Sequence, residues 1–108
     1  MKTNSYDGKW KGEVVLYDPL SIPQGAEWEY ALGRMVKAQK AGGGVDAMAQ
    51  ALLPGILACV HEWKLKDFPK DLTIDNFPSK PKKELANLIS WLIESITEIY
   101  KDEDDPNE

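Results

Sequence analysis

Between Val45 and Trp63 the chain reads VDAMAQALLPGILACVHEW, and up to Val60 only Asp46 and Gln50 interrupt the apolar run. Met48, Leu52, Ile56, Cys59 and Trp63 recur at helical spacing, and Leu53, Leu57 and Val60 widen that stripe. The pattern predicts a central helix with most of its circumference buried. A membrane span needs about 20 predominantly apolar residues. This run is shorter, is flanked by Asp46, His61 and Glu62, and holds Pro54-Gly55 near its middle. The expectation is a buried core helix, kinked or split at Pro54, which lacks a backbone donor and crowds the carbonyl of Gln50.

Before this helix, residues 9 to 17 (KWKGEVVLY) alternate as a strand does, with Trp10, Gly12, Val14 and Leu16 on one face. Asp7-Gly8 is a hairpin signal, but residues 1 to 6 are short and mostly polar, a poor partner strand. The strand therefore has to pair with that weak stretch, with residues 64 to 77, or with another chain. Ser21 then reads as a helix N-cap with Pro23 in the first turn, opening a helix to about Lys40. Its apolar stripe is Trp28, Ala31, Leu32, Met35 and Val36, and Glu27, Glu29, Arg34, Lys37 and Lys40 lie mainly opposite. Gly42-Gly43-Gly44 favours an antiparallel return. A phosphate-binding loop there would want a following Lys-Ser or Lys-Thr pair, which is missing, and Asp46 would repel the anion.

Residues 63 to 83 contain two Phe-Pro pairs and read as extended, turning chain with a short turn at Leu72 to Asn76. Phe68, Leu72, Ile74 and Phe77 are expected to plug the edge of the core. The last helix, capped by Ser79 with Pro81 in its first turn, carries Leu85, Leu88, Ile89, Leu92, Ile93, Ile96, Ile99 and Tyr100 as a broad stripe. Trp91 falls off that stripe. Acids beyond Tyr100 sit at the negative end of the helix dipole, which predicts fraying into a disordered tail.

The fold class that follows is mainly α: a three-helix core with a short N-terminal β-strand. A single domain over residues 9–100 is expected between a flexible N-terminus (1–8) and a disordered acidic tail (101–108). A chain of 108 residues suits one domain with one core. Of the net charge of -5, the terminal KDEDDPNE carries five acids against one lysine, a net of -4, which leaves -1 for the rest. That balance argues against nucleic-acid binding, although residues 64 to 83 hold six Lys against three Asp. A lone Cys59 in the most apolar stretch and an N-terminus with no apolar signal segment point to a reducing, cytoplasmic setting.

Candidate chemistry is sparse. The only histidine, His61, lies two residues from Cys59, a spacing that separates the side chains on a helix, and further zinc ligands do not appear. No serine stands in a nucleophile elbow, and the carboxylate pairs read as solvated faces. The expectation is a protein that is not an enzyme and uses no cofactor and no metal. Binding surfaces favour Trp. The candidate partner-binding residues are Trp10, Val14, Leu16, Trp28 and Trp91, with Trp63 assigned to the core.

Three stretches, YDPLSIPQGAEWEYAL, LLPGILACVHEWKLKDFP and NFPSKPKKELANLISWLIESITEIY, together resemble the small tail assembly chaperones of long-tailed (siphovirus-type) bacteriophages. The resemblance covers about residues 12 to 100 and rests on Trp, Pro and apolar positions. It implies a short strand with a DPL-x-IP turn, a Trp-bearing helix, a central helix, an extended Phe-Pro segment and a terminal amphipathic helix. It also implies a function in the host cytoplasm: coating the helical tape-measure protein, keeping it soluble and recruiting tail-tube protein before leaving the finished tail. Self-association is compatible with that role, as is a longer frameshifted product. The physical counterpart would be an exposed apolar groove or an unsatisfied strand edge. Two other classes fit the composition: a small virion structural subunit (connector or tail-completion), whose strand would pair permanently in a ring, and an acidic inhibitor of a host enzyme.

Overall fold

Local sequence signals account for the helical hairpin at the centre of the molecule. The computed structural model describes residues 1–68 and 82–103, and their side chains up to residue 101. In chain order the elements are β1 (Lys2–Tyr6), β2 (Gly12–Leu16), α1 (Ile22–Lys40), α2 (Val45–Cys59), β3 (Val60–Leu65) and α3 (Lys83–Glu103). Ser21 Oγ accepts from the Gln24 amide at 3.2 Å, and the Gln24 side chain accepts from the Ser21 amide at 2.8 Å, a closed capping box. At the other end the Gly43 amide donates to the Ala38 carbonyl at 2.8 Å, and Gly42 takes φ +85°. The chain then returns antiparallel: Gln24 at the start of α1 donates to the carbonyl of Ala58 at the end of α2, and Arg34 donates to Ala51. The helices pack closely at Gly55, where a Cβ would stand 2.6 Å from the Ala31 Cβ.

Of the expected elements, α1 forms over the anticipated span, but the central helix does not extend to Trp63. It ends at Cys59, and Val60–Leu65 is a strand. The reason lies in β2, which presents two rows of backbone groups that must be satisfied. In the antiparallel sheet β1-β2-β3, β1 takes one row and β3 the other. Trp63 and Leu65 then alternate with exposed Glu62 and Lys64, a strand pattern hidden beneath the helical one. Pro54 does not divide the central element, since one helix runs from Val45 through it to Cys59. Gln50, whose carbonyl loses its donor to Pro54, lies on the exposed side of the helix.

The first residues, expected as a flexible lead-in, form β1, in register Lys2↔Leu16, Asn4↔Val14 and Tyr6↔Gly12. An edge strand can be polar, because one of its faces meets solvent: Thr3 and Ser5 are exposed, and Lys2, Asn4 and Tyr6 are half-buried. Gly12 is required where the hairpin joins β3. It has φ +152°, and a Cβ would lie 2.2 Å from the Lys64 carbonyl oxygen.

The core is therefore not a plain three-helix arrangement. Val14 and Leu16 from the sheet, Trp28 and Ala31 from α1, Leu52, Ile56 and Cys59 from α2, and Leu88, Leu92, Ile96 and Ile99 from α3 form one buried cluster. Phe68 joins it and stacks on Trp63, with ring centroids 5.0 Å apart, while meeting Trp10 edge-on at 5.2 Å. The expected Ser79 cap, Pro81, the 72–76 turn, Leu72, Ile74 and Phe77 lie outside the described residues. Helix α3 continues to Glu103, three residues into the stretch assigned to the acidic tail, and residues 104–108 are again outside. No described helix is long and apolar enough to cross a membrane.

Candidate protein-binding edge between the first strand and the last helix

Of the five candidate binding residues, three serve the chain's own interior. Val14 and Leu16 are fully buried and Trp28 is 1% exposed, because β2 is the middle strand and Trp28 faces Gly55 across the helical hairpin. Alternation along the strand and the helical stripe mark core faces and binding faces alike, so sequence could not separate the two uses. Trp10 is half-buried against Phe68, with the Lys9 ammonium 5.4 Å from its ring centroid. Trp91 is also half-buried, beside Tyr6 at a centroid distance of 4.8 Å. Burial pushes the Tyr6 hydroxyl above its ordinary pKa of 10.0.

Trp91 opens onto a feature that the sequence reading missed. Among the described residues strand β1 pairs with β2 on one side only, and along its other side runs a groove of about 330 Å³ lined by Thr3, Asn4, Ser5, Trp91, Glu94, Ser95 and Glu98. Two contacts fix the direction of α3 along this edge. Tyr6 meets Trp91 at one end of β1, and the Lys2 ammonium lies 3.8 Å from the Glu98 carboxylate at the other. Strand and helix therefore run side by side in opposite senses. Ser95, 7% exposed, lies in the groove lining and donates its hydroxyl to the Trp91 carbonyl at 3.0 Å. Glu94 and Glu98 are exposed and one helical turn apart. The signal for this site was the pairing of an i, i+4 acidic row with the off-stripe Trp91.

The rest of the described surface is less organised. Met1, Ile22, Tyr30, Val36 and Val45 are exposed, and single exposed hydrophobes are common on protein surfaces. A smaller depression of about 250 Å³ on α1 is lined by Glu29, Tyr30, Gly33, Arg34 and Lys37. Tyr100 at the end of α3 donates its hydroxyl to Glu29 nearby. His61 Nδ1 and the Tyr17 hydroxyl share a hydrogen bond of 3.2 Å at the surface, with the two rings edge-on. Among the described residues no three of His, Cys, Asp and Glu stand close enough to hold a metal ion.

Comparison with models of protein families, with curated proteins and with solved structures gave no match.

Proposed function

We propose that this chain is a tail assembly chaperone of a long-tailed bacteriophage, acting in the host cytoplasm by binding other polypeptides and catalysing no reaction. The similarity of its three Trp- and Pro-bearing stretches to that family motivates the reading. The observation that carries the binding mode is the outer edge of β1, which no described strand pairs, beside the groove along α3. Exposed strand edges recruit further chain by backbone pairing. Such an edge recruits through its backbone groups and needs no apolar patch. The partners in this reading are the tape-measure protein and, through it, tail-tube protein.

The same edge would serve a virion subunit that pairs permanently in a ring, and composition of the finished particle separates the two. Tagged protein captured from phage-producing cells should bring down a long helical tape-measure protein, and purified virions should lack the chain. Stoichiometric presence in virions overturns the chaperone reading in favour of a structural subunit. Capture of a host enzyme with no tail protein would point instead to the inhibitor class.

A further inference from the structure

We infer that the groove between β1 and α3 takes an extended polypeptide segment carrying Lys or Arg at alternate positions, added as a fourth strand on β1. This deepens the proposed binding function and rests on it.

The geometry sets the partner's chemistry in three steps. The free side of β1 offers backbone donors and acceptors over Lys2–Tyr6, so the occupant is a strand of about five residues lying roughly 4.8 Å away. Because α3 runs beside β1 from Trp91 at the Tyr6 end to Glu98 at the Lys2 end, an added strand would lie over the flank of the helix. Alternate side chains of that strand then point at the helix. Side chains at i and i+2 of a strand are about 6.7 Å apart along the chain, and residues one helical turn apart, such as Glu94 and Glu98, are about 6 Å apart along the helix axis. Two basic residues with one residue between them therefore meet the two carboxylates in register. Trp91 supplies an aromatic face at the Tyr6 end of the groove, where a cation or an apolar side chain can rest. Lys2, whose side chain is 37% exposed, already lies 3.8 Å from the Glu98 carboxylate on the strand side, so a basic residue of the added strand would share this exposed carboxylate with it.

The test uses the full chain with short synthetic peptides: one alternating lysine with threonine, one with glutamate in place of lysine, and a third, lysine-bearing, N-methylated at alternate amides. Binding is read by fluorescence anisotropy and by NMR shifts. The lysine peptide should bind with shifts at Thr3, Ser5, Glu94, Glu98 and the Trp91 indole, and both other peptides should fail. Glu94→Gln with Glu98→Gln should weaken binding about three- to tenfold, as expected for two exposed charge pairs. Both positions are exposed, so folding should survive, and an unchanged circular dichroism spectrum checks this. Failure of the lysine peptide to bind, equal binding of the methylated or glutamate peptide, or shifts confined to another face overturns the inference. If tape-measure protein is still captured from cells, such a failure leaves the chaperone reading standing and removes only the strand-addition mode.

Discussion

Gly55 marks a close approach of α1 and α2 at which a single added carbon should be felt. A Cβ there would lie 2.6 Å from the Ala31 Cβ, 3.2 Å from the Glu27 carbonyl oxygen and 3.2 Å from the Trp28 ring. Carbon atoms in contact prefer about 3.5–4.0 Å, so α1 and α2 would have to separate by about 1 Å at a place where both are buried. Forcing a methyl into a packed core costs about 1–3 kcal/mol. The Glu27 oxygen belongs to the backbone and cannot turn aside, which puts this site in the upper part of that range. Alanine in a helix is better than glycine by roughly 0.8–1.0 kcal/mol. The net loss for Gly55→Ala is therefore about 1–2 kcal/mol, a fall in Tm of about 5–10 °C for a domain of this size. Thermal melting followed by circular dichroism measures it. Ala31→Gly in the same chain removes the closest contact, so the double variant should be more stable than the sum of the single effects by at least about 0.5 kcal/mol. A rise in Tm for Gly55→Ala, or strict additivity, would refute the close approach of the two helices.

Three further outcomes follow from the structure. Ser21→Ala breaks the capping box of α1 and should lower the unfolding free energy by about 0.5–2 kcal/mol, seen as a lower urea midpoint at unchanged slope. Leu92→Ala leaves a void where α3 meets the core and should cost about 2–5 kcal/mol, measured by the same titration. Tyr6 has its folded-state pKa raised by burial, so the native state holds its proton more tightly than the unfolded chain. That contribution is fully present below the ordinary phenol pKa and is lost as pH rises through the folded value. Tyr6→Phe should accordingly flatten the decline in stability on the alkaline side and leave the neutral range little changed, as followed by urea midpoints across pH.

What the sequence made legible was the helical part. Helix α1 announced itself twice, through the Ser21 cap with Pro23 and through the Trp28–Ala31 stripe, and both signals are local. The apolar row of α3 was equally plain, since Leu88, Leu92, Ile96 and Ile99 repeat at helical spacing and meet the core. The sheet was only one-third visible, because its other two strands depend on β2 rather than on themselves. As an edge, β1 has no apolar alternation to show, and β3 continues the helical spacing of α2 until the demand of β2 for partners turns Val60 into extended chain. The candidate edge was hidden for the same reason. Glu94 and Glu98 stand among the polar positions of α3, and only the tertiary placement of β1 beside α3 makes them the wall of a groove. Val14, Leu16 and Trp28 were drawn toward function by size and apolarity, properties that a core residue shares.

Site-specific photo-crosslinking in phage-producing cells locates the partner on the proposed chaperone. A photoreactive residue at Ser5, exposed on β1 beside the groove, would be compared with one at Glu62, exposed on β3 at the far side of the sheet. The proposed chaperone role with binding at the β1 edge predicts a crosslink from Ser5 to the tape-measure protein, lost from finished virions, and little or none from Glu62. Crosslinking from Glu62 alone, or from Ser5 to a component retained in the virion, would contradict it.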